Sequence, residues 1–500
     1  MAFRLSRRPS KQYIAFALLC IALFFFVSLN LGKPSTNSYT PPTRPVVVEE
    51  ETTVEYVKPE DHELLEDIRI DTSREEETAE NQRKLIDHKY CGRDNCRFLL
   101  PITITEQESK AQMHFRQLAF LSGRLDRTIV LPNVHSSHLG VCRRLPFSFY
   151  YSNEWLDNNK KFFNYISLDD FKEWARERAQ IAIKPTAQEL YVEVNENFHF
   201  LDGVQNCMQH YMSFEGRTTK RFVLEDPERS ERRQGNYSQI LQTAMSDHTL
   251  NEGYANGKLT DIPPLDVINL YYDRRFPYIE DVEVQEPLKY SSTWVNIAKG
   301  IADSLTPFVA IHWRMERLET LENLVYCAKD LVSQIQKLVA DNGMTQYPPL
   351  FLLTDYPHLL NASTRTPESM SFKLAELQSA HHEAINYLLE NLNITLTTID
   401  RPNQPIPYAE LPEKNWNIVP VPANSQPADA SVLGIVDKLV AMRAQWFLAG
   451  KPGVCAKASS FTLRIMEERR NQKDLQDAGQ SLPGDADIRS VAKFFTNEVV

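Results

Sequence analysis

The sequence predicts an α/β protein built from two Rossmann-like lobes. Short apolar runs have the length of buried parallel strands, and amphipathic segments of helical length lie between them. This alternation occurs in residues 88–295 and again in residues 296–475. Alternating strands and helices form parallel sheets covered by helices, so we expect two such sheets that face each other across a ligand-binding cleft.

The first lobe opens with a βαβ unit. A strand begins at residues 97–100, residues 107–125 have the apolar spacing of an amphipathic helix, and residues 128–131 form a second strand closed by Pro132. A strand, a helix and a strand within about 35 residues predict parallel pairing. The segment from 142 to 290 is harder to interpret and mixes aromatic-rich pieces with charged helical pieces, such as residues 168–179.

The second lobe has the clearer alternation. Residues 308–311 form an apolar strand that ends in His312, Trp313 and Arg314. The His381–His382 pair of a later helix is expected on a solvated face. The remaining predicted elements are a helix at 321–340, a strand at 350–353, a helix at 372–392, a strand at 394–399, a proline-rich loop at 402–427 and helices at 432–448 and 461–470.

Two features of the second lobe favour an anionic ligand. Arg314 lies at the carboxyl end of a predicted strand, the edge at which open α/β sheets bind ligands. A guanidinium group can bond two phosphate oxygens at once, although a structural salt bridge is the alternative. Ser459 and Ser460 precede a predicted helix, whose free N–H groups form an anion site if the serines do more than cap it.

The N-terminus predicts a membrane anchor. Basic residues precede an apolar run of roughly 17 to 19 residues, which is long enough to span a bilayer. The positive flank should stay in the cytosol, so we expect a cytosolic tail at 1–12, a type II signal anchor at 13–31 and a lumenal remainder. A cleaved signal peptide is the competing interpretation, but no small-x-small cleavage site follows the run.

The segments at either side of the two lobes predict no core. Residues 32–87 contain prolines and acidic clusters with few periodic apolar residues, so we expect a disordered stem. Residues 476–500 are expected to form a C-terminal tail. The net charge of −11 argues against a nucleic-acid partner, which would need a basic face.

The cysteines and sequons agree with a lumenal location. Outside the anchor, six cysteines allow three disulfides in fifteen connectivities, and only Cys91 and Cys96 are close enough in sequence to suggest a pair. Three sequons would be glycosylated at Asn236, Asn361 and Asn393. The six disulfide candidates are Cys91, Cys96, Cys142, Cys207, Cys327 and Cys455.

Four stretches of the chain, in order and in register, resemble the GDP-fucose protein O-fucosyltransferases. More broadly, the chain is similar to the fucosyltransferases of two-lobed GT-B architecture, over roughly residues 90 to 470. The resembling stretches are Leu118–Phe120 with Asp126–Pro132, Leu288–Tyr290 with Phe308–Arg314, Val436–Asp437 with Gln445–Leu448, and Ala458–Thr462.

The resemblance implies a GDP-sugar site in the second lobe and an acceptor side in the first. Arg314 would bind the β-phosphate and stabilise the departing GDP, and His312 would shape the same pocket. Asp437 would accept hydrogen bonds from the guanine edge, and Phe461 would pack against the base. The implied ligands of the phosphate oxygens are Ser459, Ser460 and Thr462.

The implied reaction is the inverting transfer of fucose from GDP-fucose to serine or threonine hydroxyls of secretory proteins. The expected partners are a nucleotide sugar, a protein or glycan acceptor, and the Golgi membrane, with the endoplasmic reticulum as the alternative. Glu316 is a candidate general base, with an exposed loop glutamate as the alternative reading. Glu106 and Glu108 are further candidates for the base.

No metal or other cofactor is predicted. Asp485-Ala486-Asp487 resembles the metal-binding DxD of many glycosyltransferases, but its place in the C-terminal tail predicts a surface loop. His135, His138 and Cys142 have a faint metal-like spacing, although a disulfide is favoured for Cys142. Arginine and helix N–H groups would then neutralise the diphosphate.

One stretch departs from the family. Residues 103–110 lack the glycine and the asparagine that the family carries before the first helix. Glycine permits close approach of the backbone to a ligand, and a loop without glycine does not allow this approach. Two alternatives therefore stand beside the protein O-fucosyltransferase: a transferase of fucose or another sugar to a glycan, and a membrane-anchored pseudo-glycosyltransferase without turnover.

Overall fold

The computed structural model describes residues 78–193, 201–223, 234–246, 250, 265–273, 278–357, 372–400, 416–422, 429, 431–480 and 487–498. The predicted anchor at 13–31 and the stem up to residue 77 lie outside these residues. Among the helices that are described, none has both the length and the apolar character needed to cross a bilayer.

The folded region begins earlier than residue 88, the predicted end of the stem. Residues 78–91 are helical, and Asp87 on this helix is fully buried. Its carboxylate accepts hydrogen bonds from Arg178 at 2.6 Å and from the Trp174 indole at 2.7 Å. This buried pairing attaches residues 78–87 to the first lobe. Their composition is poor in apolar residues, so the sequence predicted a stem, whereas a buried ion pair holds them in the fold.

The first sheet has a parallel centre in the order β5-β2-β1-β8-β6-β7. The short hairpin of β3 and β4 pairs antiparallel with the end of β1. The strands are β1 (Phe98–Ile104), β2 (Thr128–Val130), β3 (Val134–His135), β4 (His138–Leu139), β5 (Tyr165–Ile166), β6 (Ala187–Glu193), β7 (Lys220–Val223) and β8 (Val267–Tyr272).

The helices of this lobe cover the sheet, as the βαβ pattern predicts. The longest one, α1, follows β1 directly and buries an almost continuous row of side chains. Besides the helix at residues 78–91, the α-helices of this lobe are α1 (Glu108–Arg124), α2 (Glu154–Asn158), α3 (Leu168–Ala179), α4 (Gln234–Ala244) and α5 (Val282–Gln285).

The second sheet is parallel throughout, in the order β12-β11-β10-β9-β13-β14. Its strands are β9 (Val309–Trp313), β10 (Leu350–Thr354), β11 (Ile394–Asp400), β12 (Trp416–Pro422), β13 (Trp446–Gly450) and β14 (Lys493–Phe495). The helices are α6 (Ser292–Leu305), α7 (Asn323–Asp341), α8 (Ser379–Asn391), α9 (Val432–Met442) and α10 (Ser460–Asp477). Two predominantly parallel sheets with covering helices confirm the α/β class.

Five local predictions for this part of the chain are wrong. The helix predicted at 372–392 begins only at Ser379, and the predicted C-terminal tail contributes β14, which pairs with β13. Strand β12 lies inside the predicted proline-rich loop, where it pairs with β11 at the edge of the sheet and so tolerates proline. The predicted helix at 432–448 ends at Met442, and Gln445–Leu448 leads into and begins strand β13, which is buried beside β9. His381 is 1% exposed and therefore does not lie on a solvated face.

The two lobes share one continuous hydrophobic core. The cluster extends from Phe115 of α1 through Trp294 of α6 to Val436 of α9. The indole of Trp294 also donates a hydrogen bond to the Phe149 carbonyl of the first lobe at 2.5 Å. Helices α6, α9 and α10 of the second lobe therefore all pack against the first lobe.

All six predicted cysteines form disulfides. The pairs are Cys91–Cys96, Cys142–Cys207 and Cys327–Cys455. Cys142 is thus a disulfide partner, as the sequence favours. The Cys327–Cys455 bond joins α7 to the loop between β13 and α10, and this loop leads into the site described next.

Candidate functional site

The second sheet has a topological switch point between β9 and β13. The chain leaves β9 toward β10, β11 and β12 on one side and returns through β13 to the other side. Neighbouring strands whose connections leave in opposite directions open a crevice at their carboxyl ends. His312 lies near the carboxyl end of β9 and Arg314 comes directly after it, so both lie at this crevice. Helix α10 begins after the loop that follows β13.

His312 connects β9 to the start of α10. Its Nδ1 lies 2.7 Å from the Thr462 hydroxyl, and its ring stacks on Phe461 with centroids 5.1 Å apart. Burial, together with the charge of Arg314, lowers the pKa of His312 to about 3. The imidazole is therefore neutral at physiological pH, so it orients α10 through hydrogen bonding and packing and adds no charge to the site.

The start of α10 is a capped helix terminus that faces the same edge. Ser459 is the N-cap residue, and its hydroxyl accepts a hydrogen bond from the Thr462 N–H at 3.4 Å. The helix begins at Ser460, one residue before the predicted start at Phe461. First-turn N–H groups have no acceptor within their own helix, so such a terminus attracts anions.

Arg314 lies beside this helix terminus. Its Nη1 donates to the Ala458 carbonyl at 3.4 Å, and its own carbonyl accepts from the Lys457 N–H at 3.2 Å. The side chain of Arg314 is 25% exposed, so the guanidinium remains accessible to a ligand. The loop before α10 and the loop after β9 therefore place a permanent positive charge next to free helix N–H groups.

Glu316 forms an ion pair with Arg314 on the buried side of the guanidinium group. Its fully buried carboxylate forms an ion pair with the Arg314 guanidinium and lies 3.7 Å from the Lys457 ammonium. A general base must contact the acceptor hydroxyl, and a carboxylate with no exposed surface does not do so in this conformation. In this conformation Glu316 has the structural pairing that was the alternative for Arg314, and its role as a general base stays a prediction.

Asp437 lies over the same face of the sheet as His312. The register pairs His312 with Leu353 on β10 and, continued along β11, pairs Leu353 with Thr397. Residues in one such row point to the same face, so Thr397 lies two strand spacings, about 10 Å, from His312. The Thr397 hydroxyl donates to Asp437 Oδ1, which places this α9 carboxylate above the row.

The pKa of Asp437 is displaced far from its ordinary range. Burial raises it to about 7, while the hydrogen bond from Thr397 opposes this change. A carboxyl group whose pKa is this strongly raised and which accepts a hydrogen bond from a single hydroxyl is typical of functional sites. In such a site a bound ligand supplies further hydrogen-bond donors. The predicted grouping of Asp437 with His312 and Phe461 thus has a common sheet face as its structural basis.

Phe461 packs against helix α9. The ring lies next to Gly434, where a Cβ atom built on the backbone would be 3.8 Å from the Phe461 ring. The Lys438 ammonium lies 5.1 Å from the centroid of the same ring, within cation–π range. Gly434, Asp437 and Lys438 follow the three- and four-residue spacing that brings side chains to one side of a helix.

Lys438 continues the site into the first lobe. Its ammonium forms a buried ion pair with Glu108, the first residue of α1, and donates to the Tyr290 and Ser109 hydroxyls at 2.9 Å each. Glu108 also accepts from Tyr290 at 2.7 Å and from Tyr151 at 3.1 Å. Although burial raises the pKa of Glu108, the charge of Lys438 outweighs it and holds this pKa below its ordinary value.

Sequence reasoning missed this inter-lobe network. Glu108 is ionised, buried and paired, so the structure contradicts its candidacy as a base and makes it the partner of Lys438 instead. Lys438 itself was overlooked, although a lysine within the apolar positions of α9 was an available signal. The carboxylate of Glu106, the remaining candidate base, lies 3.3 Å from the ammonium of Lys110, which belongs to the first turn of α1.

A second polar contact joins the lobes at the start of α9. Buried Asp429 accepts hydrogen bonds from the Ser136 N–H at 3.3 and 3.2 Å and from the Tyr150 hydroxyl. Ser136 and Ser137 have φ of 51° and 63°, so the β3–β4 turn directs consecutive N–H groups at the other lobe. Such a turn forms a concave anion site, here filled by the protein's own carboxylate.

The remaining predicted sites are peripheral to this cluster. Asn393 is exposed between α8 and β11, Asn236 lies in α4, and Asn361 lies outside the described residues. Of the predicted DxD triplet only Asp487 is described, and it pairs with Arg489 at 2.8 Å.

Comparison with known proteins gives distant structural similarity. No family model and no curated protein matches the chain. Crystal structures of POFUT1 with GDP and with GDP-fucose are 14% and 16% identical, with TM-scores of 0.39 and 0.40, over 80% of this chain and 98% and 97% of theirs. The fucosyltransferase NodZ from Bradyrhizobium is 10% identical, with a TM-score of 0.32, over 74% and 92% of the two chains. At such values the function must be argued from the residues of the site.

Proposed function

We propose that the protein is a glycosyltransferase that moves fucose from GDP-fucose to serine or threonine hydroxyls of secretory proteins, with inversion and without a metal. One observation carries the proposal: Arg314 lies beside the capped start of α10 at the switch point of a parallel sheet. A planar cation and helix N–H groups at one crevice match the charge and geometry of a diphosphate.

The base of the nucleotide would lie between Phe461 and Asp437. Phe461 is half-buried and would pack against the base, and the Asp437 carboxylate offers two acceptors for N–H donors on one edge of a purine. Guanine presents adjacent N–H donors on such an edge. This arrangement, together with the row from His312 to Thr397, supports a guanine nucleotide as the donor's carrier.

The residues of the site would act mainly on the leaving group. As the bond between sugar and diphosphate breaks, negative charge grows on the phosphate oxygens, and fixed positive groups stabilise it. Arg314 supplies a permanent charge, the first turn of α10 supplies N–H donors, and the Lys457 ammonium adds a second cation nearby. This set supports leaving-group stabilisation by protein groups.

The setting of the reaction belongs to the same proposal. We place the protein in the Golgi membrane as a single-pass type II protein, with the endoplasmic reticulum as the alternative. The three disulfides support an oxidising compartment. The first lobe would bind the acceptor, either a protein or a glycan.

A second candidate function has one observation in its favour. The buried pair of Glu108 and Lys438 fills the start of α1, where the first βα turn of a Rossmann-like lobe commonly receives a ligand. A lobe occupied by its own side chains favours a pseudo-glycosyltransferase that binds a nucleotide sugar and does not turn it over.

The test is a binding and turnover assay on the purified full-length protein. Calorimetry with GDP, UDP and their sugars measures donor choice, and release of GDP from GDP-fucose measures turnover, each with and without EDTA. We expect GDP and GDP-fucose to bind, Arg314→Ala to weaken binding, and EDTA to have no effect. Arg489→Ala, which removes an exposed arginine of the same lobe, is the matched control.

The outcomes separate the candidates. Binding with turnover supports the transferase, and binding without turnover on protein or glycan acceptors supports the pseudo-glycosyltransferase. If no nucleoside diphosphate binds, the proposed donor site is wrong.

A further inference from the structure

The loop that carries Arg314 is held by a carboxylate on the neighbouring strand. Asp355 follows β10 directly, and its Oδ1 accepts a hydrogen bond from the Met315 N–H at 2.8 Å. Its Oδ2 accepts another from the Glu316 N–H at 3.1 Å. One carboxylate thus binds two consecutive N–H groups, those of the residues that come immediately after Arg314.

The same strand end also holds the residue before Arg314. The Thr354 hydroxyl donates to the Trp313 carbonyl at 2.9 Å. Strand β10 therefore contacts the backbone on both sides of Arg314. The chain turns sharply beyond this point, where Arg317 has a φ of 48°, so the loop needs fixed contacts to keep one conformation.

The Asp355 carboxylate accepts its two backbone hydrogen bonds at a position where burial disfavours the charged form. Burial raises its pKa to about 6, and the two backbone N–H groups oppose this rise. The charged groups that face it are Glu316 and Arg314, and α8 places His381 and His382 close to the same strand end. A carboxylate in such a setting is costly, and its two N–H contacts give a physical reason for its presence.

We propose that Asp355 is a positioning residue for the donor site. It fixes the backbone of Met315 and Glu316, so that the Arg314 guanidinium stays beside the start of α10. The proposal rests on the function proposed above, because it names what holds the phosphate ligand of that function. Asp355 acts through Arg314 and does not itself contact the nucleotide.

Two roles for Asp355 predict opposite signs for one substitution. Asp355→Asn removes a negative charge near a bound diphosphate, so a residue that only balanced charge would give tighter GDP binding when changed. An amide has a single acceptor oxygen, so one of the two N–H groups loses its partner and the loop loosens. If Asp355 positions Arg314, we expect GDP affinity to fall about 10- to 100-fold despite the favourable change in charge.

The experiment combines hydrogen exchange with GDP calorimetry on the full-length protein. We expect Asp355→Asn to speed amide exchange at Met315 and Glu316 and to weaken GDP binding. Asp355→Glu, which keeps the charge but lengthens the side chain, should weaken binding too. Asp330→Asn is the control, because buried Asp330 accepts from the Thr496 N–H at 2.6 Å outside the site and its loss should leave GDP binding unchanged.

Tighter GDP binding by Asp355→Asn, or unchanged exchange at Met315 and Glu316, would overturn the proposal. Failure of the function itself has a different signature, because the unmodified protein would then bind no GDP. The exchange measurement needs no ligand, so it still decides whether Asp355 holds the loop.

Discussion

Glu108 and Lys438 form a buried ion pair that joins the two lobes. They are 330 positions apart, at the start of α1 and on the inward face of α9, and the hydroxyls of Tyr151 and Tyr290 also donate to the carboxylate. Lys438 also lies over the Phe461 ring. One ammonium therefore contacts both the neighbouring lobe and the aromatic ring of the candidate site.

Removal of one partner of this pair should destabilise the fold strongly. Lys438→Met leaves the Glu108 carboxylate buried without its cation, which we expect to cost about 3–5 kcal/mol in urea unfolding. The double variant Glu108→Gln/Lys438→Met should lose less than the sum of the single variants, because it buries no lone charge.

Lys473→Met is the control for this measurement. Lys473 forms an exposed pair with Asp477 at 2.8 Å on α10, and its loss should cost less than about 0.5 kcal/mol. Equal effects of Lys438→Met and Lys473→Met would show that the inter-lobe pair adds no stability.

Arg314 should contribute most to turnover if the leaving group is a diphosphate. We expect Arg314→Ala to slow sugar transfer on the order of 100- to 1000-fold, since the charge that develops on the phosphates loses its fixed cation. Arg314→Lys keeps the charge without the planar fork, so an intermediate rate is expected. Steady-state kinetics of GDP release checks both variants, and equal rates for alanine and lysine would rule out a role of charge.

The Ser459 cap should affect both stability and ligand binding. Ser459→Ala removes the acceptor for the Thr462 N–H, so we expect a loss of about 1 kcal/mol and weaker GDP binding. Ser167→Ala is the matched control, because Ser167 caps α3 in the same way through the Asp170 N–H at 3.0 Å. For Ser167→Ala we expect a similar loss of stability with GDP binding unchanged. If both variants bound GDP more weakly, the weaker binding of Ser459→Ala would come from the loss of stability and not from the site.

Asp437 should make the stability of the fold depend on pH. Its folded-state pKa of about 7 lies above the ordinary value of 3.8, so between these values the folded state binds more protons than the unfolded state. The contribution of Asp437 to stability is therefore full at low pH and declines as the pH rises toward 7.

Asp437→Asn should remove this decline, so that the variant gains stability relative to the unmodified protein at pH 8 and loses affinity for GDP. Urea unfolding at pH 5 and pH 8, with GDP titrations alongside, measures the two effects. A variant that is less stable at pH 8 and binds GDP normally would show that Asp437 is a structural residue.

The Cys327–Cys455 disulfide should matter to the site as well as to the fold. Replacement of both cysteines by alanine should cost about 2–5 kcal/mol and weaken GDP binding, because Cys455 anchors the loop that leads to Ser459. Replacement of Cys142 and Cys207, which form a disulfide in the first lobe, is the control. We expect it to reduce stability with GDP binding retained, and loss of binding in both variants would indicate a general weakening of the fold.

The sequence by itself was sufficient for the α/β class, the strand that ends in His312 and Arg314, and the capped start of α10. These features are local, because apolar period, strand length and N-cap chemistry are determined by neighbouring residues. Local pattern failed at 416–422 and at 445–448, where pairing with another strand decided the conformation and composition favoured a loop or a helix.

Only the tertiary structure decided what the acidic residues do. Glu316 and Glu108 read as candidate bases in the sequence, and burial beside Arg314 and Lys438 makes both of them partners of cations. Asp355 lies two residues beyond the predicted strand at 350–353, and the parallel pairing of β9 with β10 makes it the residue that holds the Arg314 loop. The pairing of a charge depends on which distant segment folds against it, and that information is absent from the residues on either side.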